Sequence, residues 1–409
     1  MMKIFMIVCD GLGDRPFKDG KTPLEKAEKP YMDYIAENGI CGIMDTVAQG
    51  VRPGSDTSHL ALFGYNPYEV YTGRGPFEAL GVGLNLKKGD VAFRCNFATI
   101  KDDGRIIDRR AGRQEYGLEK LAKSLDGVKI NDVKIKFKKC VGHRAVLIFQ
   151  GRDLSPKVSD VDHEGESSKK TKYRISAALD KTKEARRTSE ILNEFTEFSR
   201  KVLSKHPVNK ERISKGMLPA NIILSRGAGV LPHIIPFKEK YKMRAVGISA
   251  VSLITGVCRA VGMDTIKVKG ATGHFDSNIH AKAEAAIKAL RSYDFVFLHI
   301  KGADELSHDG NFYGKVKMIE RIDREVIKPI IEKVKNTTIV LTADHSTPCN
   351  IRQHSADPVP VAILGDVRSD DIKKFTERDC AKGGLNRICG KNLMGILLDL
   401  SNRAKLFGA

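Results

Sequence analysis

The stretch KIFMIVCDG, residues 3–11, is a short apolar run that ends at an Asp-Gly pair. A run of this length, closed by a turn signal, is typical of a strand that is buried on both faces of a parallel sheet. We therefore predict that it forms the first strand of the fold. Open parallel sheets bind ligands at the carboxyl ends of their strands, so Asp10 is the first candidate functional residue.

Strands and helices alternate on either side of a less regular middle. The stretch TPLEKAEKPYMDYIAENG has helical spacing and ends at Gly39. In the second half, apolar strand-like runs (MRAVGISA, DFVFLHI, TTIVLTA, VPVAILG) alternate with helical stretches (SLITGVCRAVGM, IHAKAEAAIKALRSY, KVKMIERIDREVIKPIIEKVKN). This alternation predicts an α/β fold, with a mostly parallel sheet and helices on both of its faces.

The middle of the chain has a different composition. Its apolar runs are shorter, as in DVAFRCNFATI, RAVLIFQG and NIILSRGAG, and charged stretches separate them. With 409 residues, the chain is long enough for two or three domains. We predict a smaller, basic α/β domain over residues 91–240, inserted between two parts of the first domain at residues 1–90 and 241–409.

Composition narrows the class of protein. The chain is 41% hydrophobic, and the apolar start is too short for a signal peptide or a membrane span, so we expect a cytoplasmic globular protein without a membrane partner. The eight cysteines are scattered without a C-x-x-C pair, which favours reduced thiols.

The net charge is +19, and residues 101–240 hold 32 basic against 19 acidic residues. This positive charge suits either a small anionic substrate or nucleic acid as the binding partner. We expect the small anion, because the sequence lacks the recognition motifs of nucleic-acid-binding proteins.

Aspartate and histidine residues cluster at the predicted strand ends. KGADELSHDG and TADHST each follow a strand, and RQHSADPVPV precedes another. An Asp after a strand is often a helix cap, and a lone His is often a surface residue. Mixed carboxylate and imidazole ligands nevertheless suit Mn, Zn, Mg or Co, and together they predict a binuclear metal site. The candidate ligands are Asp10, Asp304, His308, Asp344, His345 and His354.

Ser55 lies in GSDTSHLALFGYNP, residues 54–67, immediately ahead of a predicted short helix. A serine in this place can cap the helix. It can also be a nucleophile at the positive end of the helix dipole. The local sequence leaves both readings open.

The order and spacing of five motifs resemble the alkaline phosphatase superfamily. The motifs CDG, PGSDTSH, KGADELSHDG, TADHST and RQHSADPVPV are most similar to those of archaeal-type cofactor-independent phosphoglycerate mutases. The resemblance runs from the first strand to the C-terminal region and is diffuse in the inserted domain. It implies an alkaline-phosphatase-like fold.

This resemblance implies roles for the clustered residues. Asp304, His308 and His354 would hold one divalent metal ion, and Asp10, Ser55, Asp344 and His345 a second. Ser55 would be the nucleophile that carries the phosphoryl group as phosphoserine between 3-phosphoglycerate and 2-phosphoglycerate, a step of glycolysis and gluconeogenesis. No 2,3-bisphosphoglycerate would be needed. The sequence does not indicate the oligomeric state.

The basic inserted domain is expected to bind the substrate and to cover it against water. Candidate substrate-binding residues, each with a simple surface cation as the alternative, are Arg110, Arg113, Arg144, Arg226 and Lys269. His59 and His143 are candidate proton donors, although a structural role is favoured for His59. A metal-dependent phosphohydrolase, or another phosphomutase with the same metal site, is the alternative within the superfamily. A basic nucleic-acid-binding protein without catalysis is the alternative from another class.

Overall fold

The computed structural model describes residues 2–17, 19–162, 171–406 and 408. The chain divides into two compact units, Met1–Tyr71 with Ile234–Ala409 and Thr72–His233. We call them the sheet unit and the inserted unit. The sequence placed the divisions at residues 90/91 and 240/241, whereas the structure places them at 71/72 and 233/234.

Strands and helices are numbered in chain order over both units. The strands of the sheet unit are β1 (Lys3–Cys9), β2 (Ile40–Asp45), β9 (Ala245–Ile248), β10 (Asp264–Ile266), β11 (Phe295–Ile300), β12 (Thr337–Thr342), β13 (Val359–Leu364) and β14 (Asn386–Cys389). Its helices are α1 (Pro23–Lys26), α2 (Pro30–Glu37), α3 (Ser55–Leu62), α4 (Pro67–Val70), α9 (Phe237–Tyr241), α10 (Ser252–Ala260), α11 (Ile279–Ala289), α12 (Gly302–His308), α13 (Phe312–Ile322), α14 (Lys328–Lys333), α15 (Glu377–Cys380) and α16 (Gly390–Leu400).

The sheet of this unit has the order β10-β9-β11-β1-β12-β13-β2-β14. Strand β1 lies at the centre, where its residues from Ile4 to Cys9 are fully buried. The neighbouring strands β11 and β12 run parallel to it, and β13 runs antiparallel to both β12 and β2. The predicted α/β fold with a mostly parallel sheet is confirmed, and the long apolar runs form its centre because both faces of such a sheet are covered.

Two predicted helices are interrupted. The stretch from Thr22 to Gly39 forms the short helices α1 and α2, because Pro30 disfavours the helical conformation of the residue before it and starts a new helix. The long predicted helix over residues 315–336 contains a π-helical segment, Asp323–Ile327, between α13 and α14. Pro329 lies two residues beyond that segment, where the proline lacks the N–H that a regular helix needs.

The inserted unit has an antiparallel sheet. Its strands are β3 (Val91–Ile100), β4 (Ile106–Asp108), β5 (Lys129–Ile130), β6 (Val133–Lys139), β7 (Arg144–Gln150) and β8 (Ile222–Val230), and its helices are α5 (Arg74–Gly81), α6 (Leu118–Lys123), α7 (Lys183–Lys205) and α8 (Pro207–Ser214). Strand β3 pairs with β4, β7 and β8. Helix α5 belongs to this unit because it packs closely on β3: a Cβ on Gly75 would lie 2.1 Å from the carbonyl oxygen of Ala92.

Two further observations concern the described residues. None of their helices is both long enough and apolar enough to cross a bilayer. The eight cysteines are free thiols.

Candidate metal centre and active site

Three neighbouring strands end level at one edge of the sheet unit. In the register of the central strand, Cys9 is paired with Ile300 of β11, and Val8 with Thr342 of β12. Asp10 follows β1 directly, α12 begins just beyond β11, and the loop with the second Asp-His pair follows β12. The parallel register therefore delivers polar side chains from three different parts of the chain to one place.

The candidate ligands form two groups at this edge. One contains Asp304, His345 and His354, and the other contains Asp10, Asp344 and His345. Within each group, one ligand atom from every residue lies within 4.8 Å of the others. His345 belongs to both groups, so the two are contiguous.

His308 lies beside the first group, on the same face of α12 as Asp304. Its Nε2 is 3.4 Å from Asp304 Oδ1, and its Nδ1 is 2.8 Å from the carbonyl oxygen of Arg352. His354 has the same arrangement, with Nδ1 2.9 Å from the Pro53 carbonyl oxygen and Nε2 3.7 Å from Asp304 Oδ1. A carbonyl only accepts, so each Nδ1 carries a proton that it donates. Each Nε2 is then free to bind a cation, as in other metal sites.

The buried carboxylates need a cation. Asp10 Oδ1 and Asp344 Oδ2 are buried and have no hydrogen-bond partner in the described part of the chain. Burial, together with the negative charge of Asp10, raises the pKa of Asp344 well above its usual range. A buried carboxylate oxygen without a partner is costly unless it binds a cation. The donor set of carboxylate and imidazole atoms therefore fits divalent metal ions.

Ser55 is the first residue of α3, but it does not cap the helix. The N-cap position is occupied by Gly54. The Ser55 hydroxyl is buried and forms its hydrogen bond with His345, at 3.2 Å between Oγ and Nε2. The hydroxyl is thus directed to the histidine that both ligand groups share, at the positive end of the helix.

The two neighbouring hydroxyls are engaged elsewhere. Thr57 Oγ1 donates to the carbonyl oxygen of Gly54 and accepts from that residue's N–H. The hydroxyl of Ser58 is fully buried, 3.3 Å from that of Thr46. Among the hydroxyls of this helical turn, Ser55 has the contact with the candidate metal ligands.

Close backbone approach helps to form the site. Gly11 has a φ of 66°, and a Cβ at this position would lie 2.6 Å from Cβ of Asp304. Its N–H donates to Asp344 Oδ1 over 3.2 Å. The Asp-Gly pair that ends β1 therefore requires glycine for both its conformation and its space.

Lys301 was not predicted from the sequence. Its ammonium group contacts Asp304 Oδ2 and lies 3.1 Å from Asp10 Oδ2, so it bridges the two ligand groups. Burial alone lowers the pKa of Lys301, but the two carboxylates outweigh burial and raise it. In the sequence this lysine only precedes a glycine, as many surface lysines do.

His299 was also missed. It is fully buried in β11, where its Nε2 lies 2.9 Å from Asp10 Oδ2 and its Nδ1 lies 3.1 Å from the Ser249 hydroxyl. In the sequence, a histidine inside an otherwise apolar strand could have indicated that His299 has a role in the site. The side chain holds one oxygen of Asp10 and so directs the other, Oδ1, into the site.

His59 is a buried neutral side chain. Its Nδ1 lies 2.6 Å from the carbonyl oxygen of Ser55. Burial, with the neighbouring His299 contributing, lowers the pKa of His59 to about 3. The ring supports the helical turn that carries Ser55, and it holds no extra proton near neutral pH.

In the inserted unit, several predicted arginines are near one another. Burial, together with the charges of Arg144, Arg110, Arg94 and Arg113, lowers the pKa of His143 to about 3. A neutral His143 can donate only its single N–H proton. Arg94 was not predicted: it is almost completely buried, and its Nε has no hydrogen-bond partner in the described ranges. The cluster is suited to an anion.

The last two predicted substrate-binding residues lie apart from this cluster in sequence. Arg226 is in β8, opposite Arg94 in the strand register, and its Nε is 3.9 Å from Asp162 Oδ2. Asp162 in turn receives two hydrogen bonds from Arg109. Lys269 is exposed and belongs to the sheet unit, in the turn after β10.

The chain is similar to known metalloenzymes along most of its length. The family described as Metalloenzyme superfamily matches residues 2–400. The chain is 50% identical to 2,3-bisphosphoglycerate-independent phosphoglycerate mutase 1 of Methanocaldococcus jannaschii, over 100% of this chain and 99% of the relative. It is 52% identical to the protein of the same name from Archaeoglobus fulgidus, over 100% of both. A solved structure of the cofactor-independent phosphoglycerate mutase from Thermoplasma acidophilum is 39% identical and has a TM-score of 0.70, covering 98% of this chain and 100% of that one.

Proposed function

The chain belongs to the 2,3-bisphosphoglycerate-independent phosphoglycerate mutase family of metalloenzymes, and from this we propose that it interconverts 3-phosphoglycerate and 2-phosphoglycerate. The reaction is a step of glycolysis and gluconeogenesis. It uses divalent metal and no 2,3-bisphosphoglycerate, in keeping with the family name. The observation that carries the proposal is the hydrogen bond between Ser55 Oγ and Nε2 of His345, the residue common to both ligand groups.

The proposed centre takes two divalent ions, Mn²⁺, Mg²⁺, Co²⁺ or Zn²⁺. Divalent ions stabilise an alkoxide and neutralise the charge of a phosphoryl group in transfer. The proposed ligands of one ion are Asp304, His308 and His354, and those of the other are Asp10, Ser55, Asp344 and His345. His345 also lies within reach of the first set.

Ser55 carries the phosphoryl group between two half-reactions. In the first, Oγ loses its proton and attacks phosphorus, the bond from phosphorus to the C3 oxygen breaks, and that oxygen takes up a proton. In the second, the C2 hydroxyl of the bound glycerate loses its proton and attacks the phosphoserine, and Ser55 Oγ regains a proton as it leaves. The N-terminus of α3 favours the negative charge that develops here.

The inserted unit is proposed to bind the carboxylate of the substrate. Arg110, Arg113 and Arg144, joined by Arg94, form the positive cluster around His143. A guanidinium group binds a carboxylate through two parallel hydrogen bonds. Arg226 and Lys269 remain proposed substrate-binding residues, because their positive charge suits an anionic substrate. Retaining glycerate and excluding water would prevent hydrolysis of the phosphoserine.

One experiment separates the proposed function from phosphatase activity. The purified protein is incubated with 3-phosphoglycerate and Mn²⁺, without 2,3-bisphosphoglycerate, and the products are followed by phosphorus NMR. The proposal predicts 2-phosphoglycerate, approaching equilibrium from either isomer, with little inorganic phosphate. Release of inorganic phosphate without the second isomer would identify a phosphohydrolase instead.

A further inference from the structure

Thr347 lies two residues after His345, in the loop that follows β12, and its side chain is fully buried. The hydroxyl oxygen is 3.0 Å from His345 Nδ1 and 2.9 Å from Asp304 Oδ1. One hydroxyl therefore contacts a member of each ligand group, because Asp304 belongs to the first group and His345 to both.

The hydroxyl proton can go in only one direction. A threonine hydroxyl has a single proton, and an ionised carboxylate can only accept. Asp304 acts as an acceptor here, because its Oδ2 is ion-paired with the ammonium group of Lys301, which can only donate. The Thr347 hydroxyl therefore donates to Asp304, so its contact with His345 is made as an acceptor. His345 must then carry its proton on Nδ1.

This proton position leaves Nε2 of His345 with a free electron pair. Nε2 is the ring atom that faces the site, 3.4 Å from Asp10 Oδ1 and 3.3 Å from Asp344 Oδ2. A metal binds imidazole through an unprotonated nitrogen. With the proton on Nε2 instead, His345 could not bind a metal ion through this atom in either ligand group.

The backbone of Thr347 is fixed. Its N–H donates to the Gly13 carbonyl oxygen over 3.0 Å, and its own carbonyl oxygen accepts from the ammonium group of Lys315 over 3.2 Å. Lys315 is fully buried and also bonds Gly13 and Asp14. The branched side chain of threonine has few rotamers, so the hydroxyl is held in place from both sides.

We propose that Thr347 is a positioning residue for the metal centre, whose single hydroxyl fixes the Nδ1-protonated form of His345 and orients Asp304 at the same time. The inference rests on the metal-dependent function proposed above. Partners of this kind change metal affinity about 10–100-fold when they are removed.

The test is a titration of the metal-free protein with Mn²⁺, followed by calorimetry, so that the readout is metal binding rather than turnover. Thr347→Val keeps the shape of the side chain and removes the hydroxyl, and Thr347→Ser restores the hydroxyl. Thr338→Val is the matched control: Thr338 is fully buried in β12, and its hydroxyl has no hydrogen-bond partner within the described residues.

Thr347→Val should weaken Mn²⁺ binding about 10–100-fold, whereas Thr347→Ser and the Thr338→Val control should bind like the wild type. Nitrogen NMR of the histidine-labelled, metal-free wild type should show the His345 proton on Nδ1, a signal that a purely structural role does not require. Wild-type affinity in Thr347→Val would overturn the inference. If that variant does not fold, an unprotonated Nδ1 in the wild type would overturn it. A wild type that binds Mn²⁺ with this pattern but fails to form 2-phosphoglycerate would contradict the proposed function alone.

Discussion

Ser55 Oγ and His345 Nε2 are 3.2 Å apart although the residues are 290 positions apart in the chain. The contact joins the N-terminus of α3 to the loop after β12. It places the hydroxyl against the side chain that both groups of candidate ligands share. The position is unsuited to a helix cap, because the cap is Gly54. It is suited to a nucleophile whose proton must be removed and whose negative charge must be stabilised.

Removal of metal should abolish mutase activity. Chelation followed by gel filtration should leave a folded, inactive protein that Mn²⁺ restores. Asp304→Asn should lose at least about two orders of magnitude in kcat. The variant would no longer hold the metal ion correctly, and the ion's stabilisation of the charge in the transition state would be lost. Exposed Asp309→Asn is the control. Full turnover by the metal-free protein would contradict the account.

The side chain of Lys301 should stabilise the metal-free protein more than it stabilises the Mn²⁺-bound protein. Lys301→Met leaves Asp10 and Asp304 without their shared cation. The metal-free protein should lose about 3 kcal/mol of unfolding free energy, since a buried charge loses its partner. Saturating Mn²⁺ should recover most of the loss. Thermal unfolding with and without Mn²⁺ measures this, with exposed Lys391→Met as control. Equal losses in both conditions would show that Lys301 does not compensate for the absent ion.

The arginine cluster should act on substrate binding rather than on metal binding. Arg144→Gln removes one of the positive charges near His143 and should raise KM for 3-phosphoglycerate about tenfold or more, because one charge-assisted pair is lost. Mn²⁺ affinity should stay unchanged. Exposed Arg152→Gln is the matched control. An unchanged KM in steady-state kinetics would remove Arg144 from the substrate site.

The carboxyl group of Asp323, which is not a candidate metal ligand, should make the stability of the protein depend on pH. Its carboxylate accepts the N–H groups of Tyr31 and Met32, and burial raises its pKa to about 6. A carboxyl whose pKa is raised by folding stabilises the protein below its unfolded pKa and loses that contribution as pH rises through the folded pKa. Asp323→Asn does not titrate. Relative to wild type, its unfolding free energy should therefore rise by about 1 kcal/mol between pH about 5 and about 8.

Chemical unfolding at the two pH values measures this difference, with exposed Asp371→Asn as the control. A difference between variant and wild type that is the same at both pH values would mean that Asp323 is ionised throughout.

The sequence predicted those parts of the fold and site that depend on local patterns. The apolar runs of β1, β11 and β12 identified the strands, and the segments that follow these strands contain Asp10, Asp304 and Asp344. Lys301 and Thr347 could not be found in this way, because their roles depend on contacts between distant parts of the chain. Lys301 contacts Asp10, and Thr347 contacts Asp304. The early start of the inserted unit was missed for the same reason: α5 belongs there through its packing on β3.

The central claim is that Ser55 carries the phosphoryl group, and the most direct measurement is mapping of the phosphorylated residue. The enzyme is mixed with 3-phosphoglycerate and Mn²⁺, quenched in acid and digested, and the peptides are analysed by mass spectrometry. The account predicts phosphate on Ser55 in the peptide with PGSDTSH, and none in a folded Ser55→Ala protein without turnover. Phosphate on Thr57 or Ser58, or near-native mutase activity in Ser55→Ala, would contradict it.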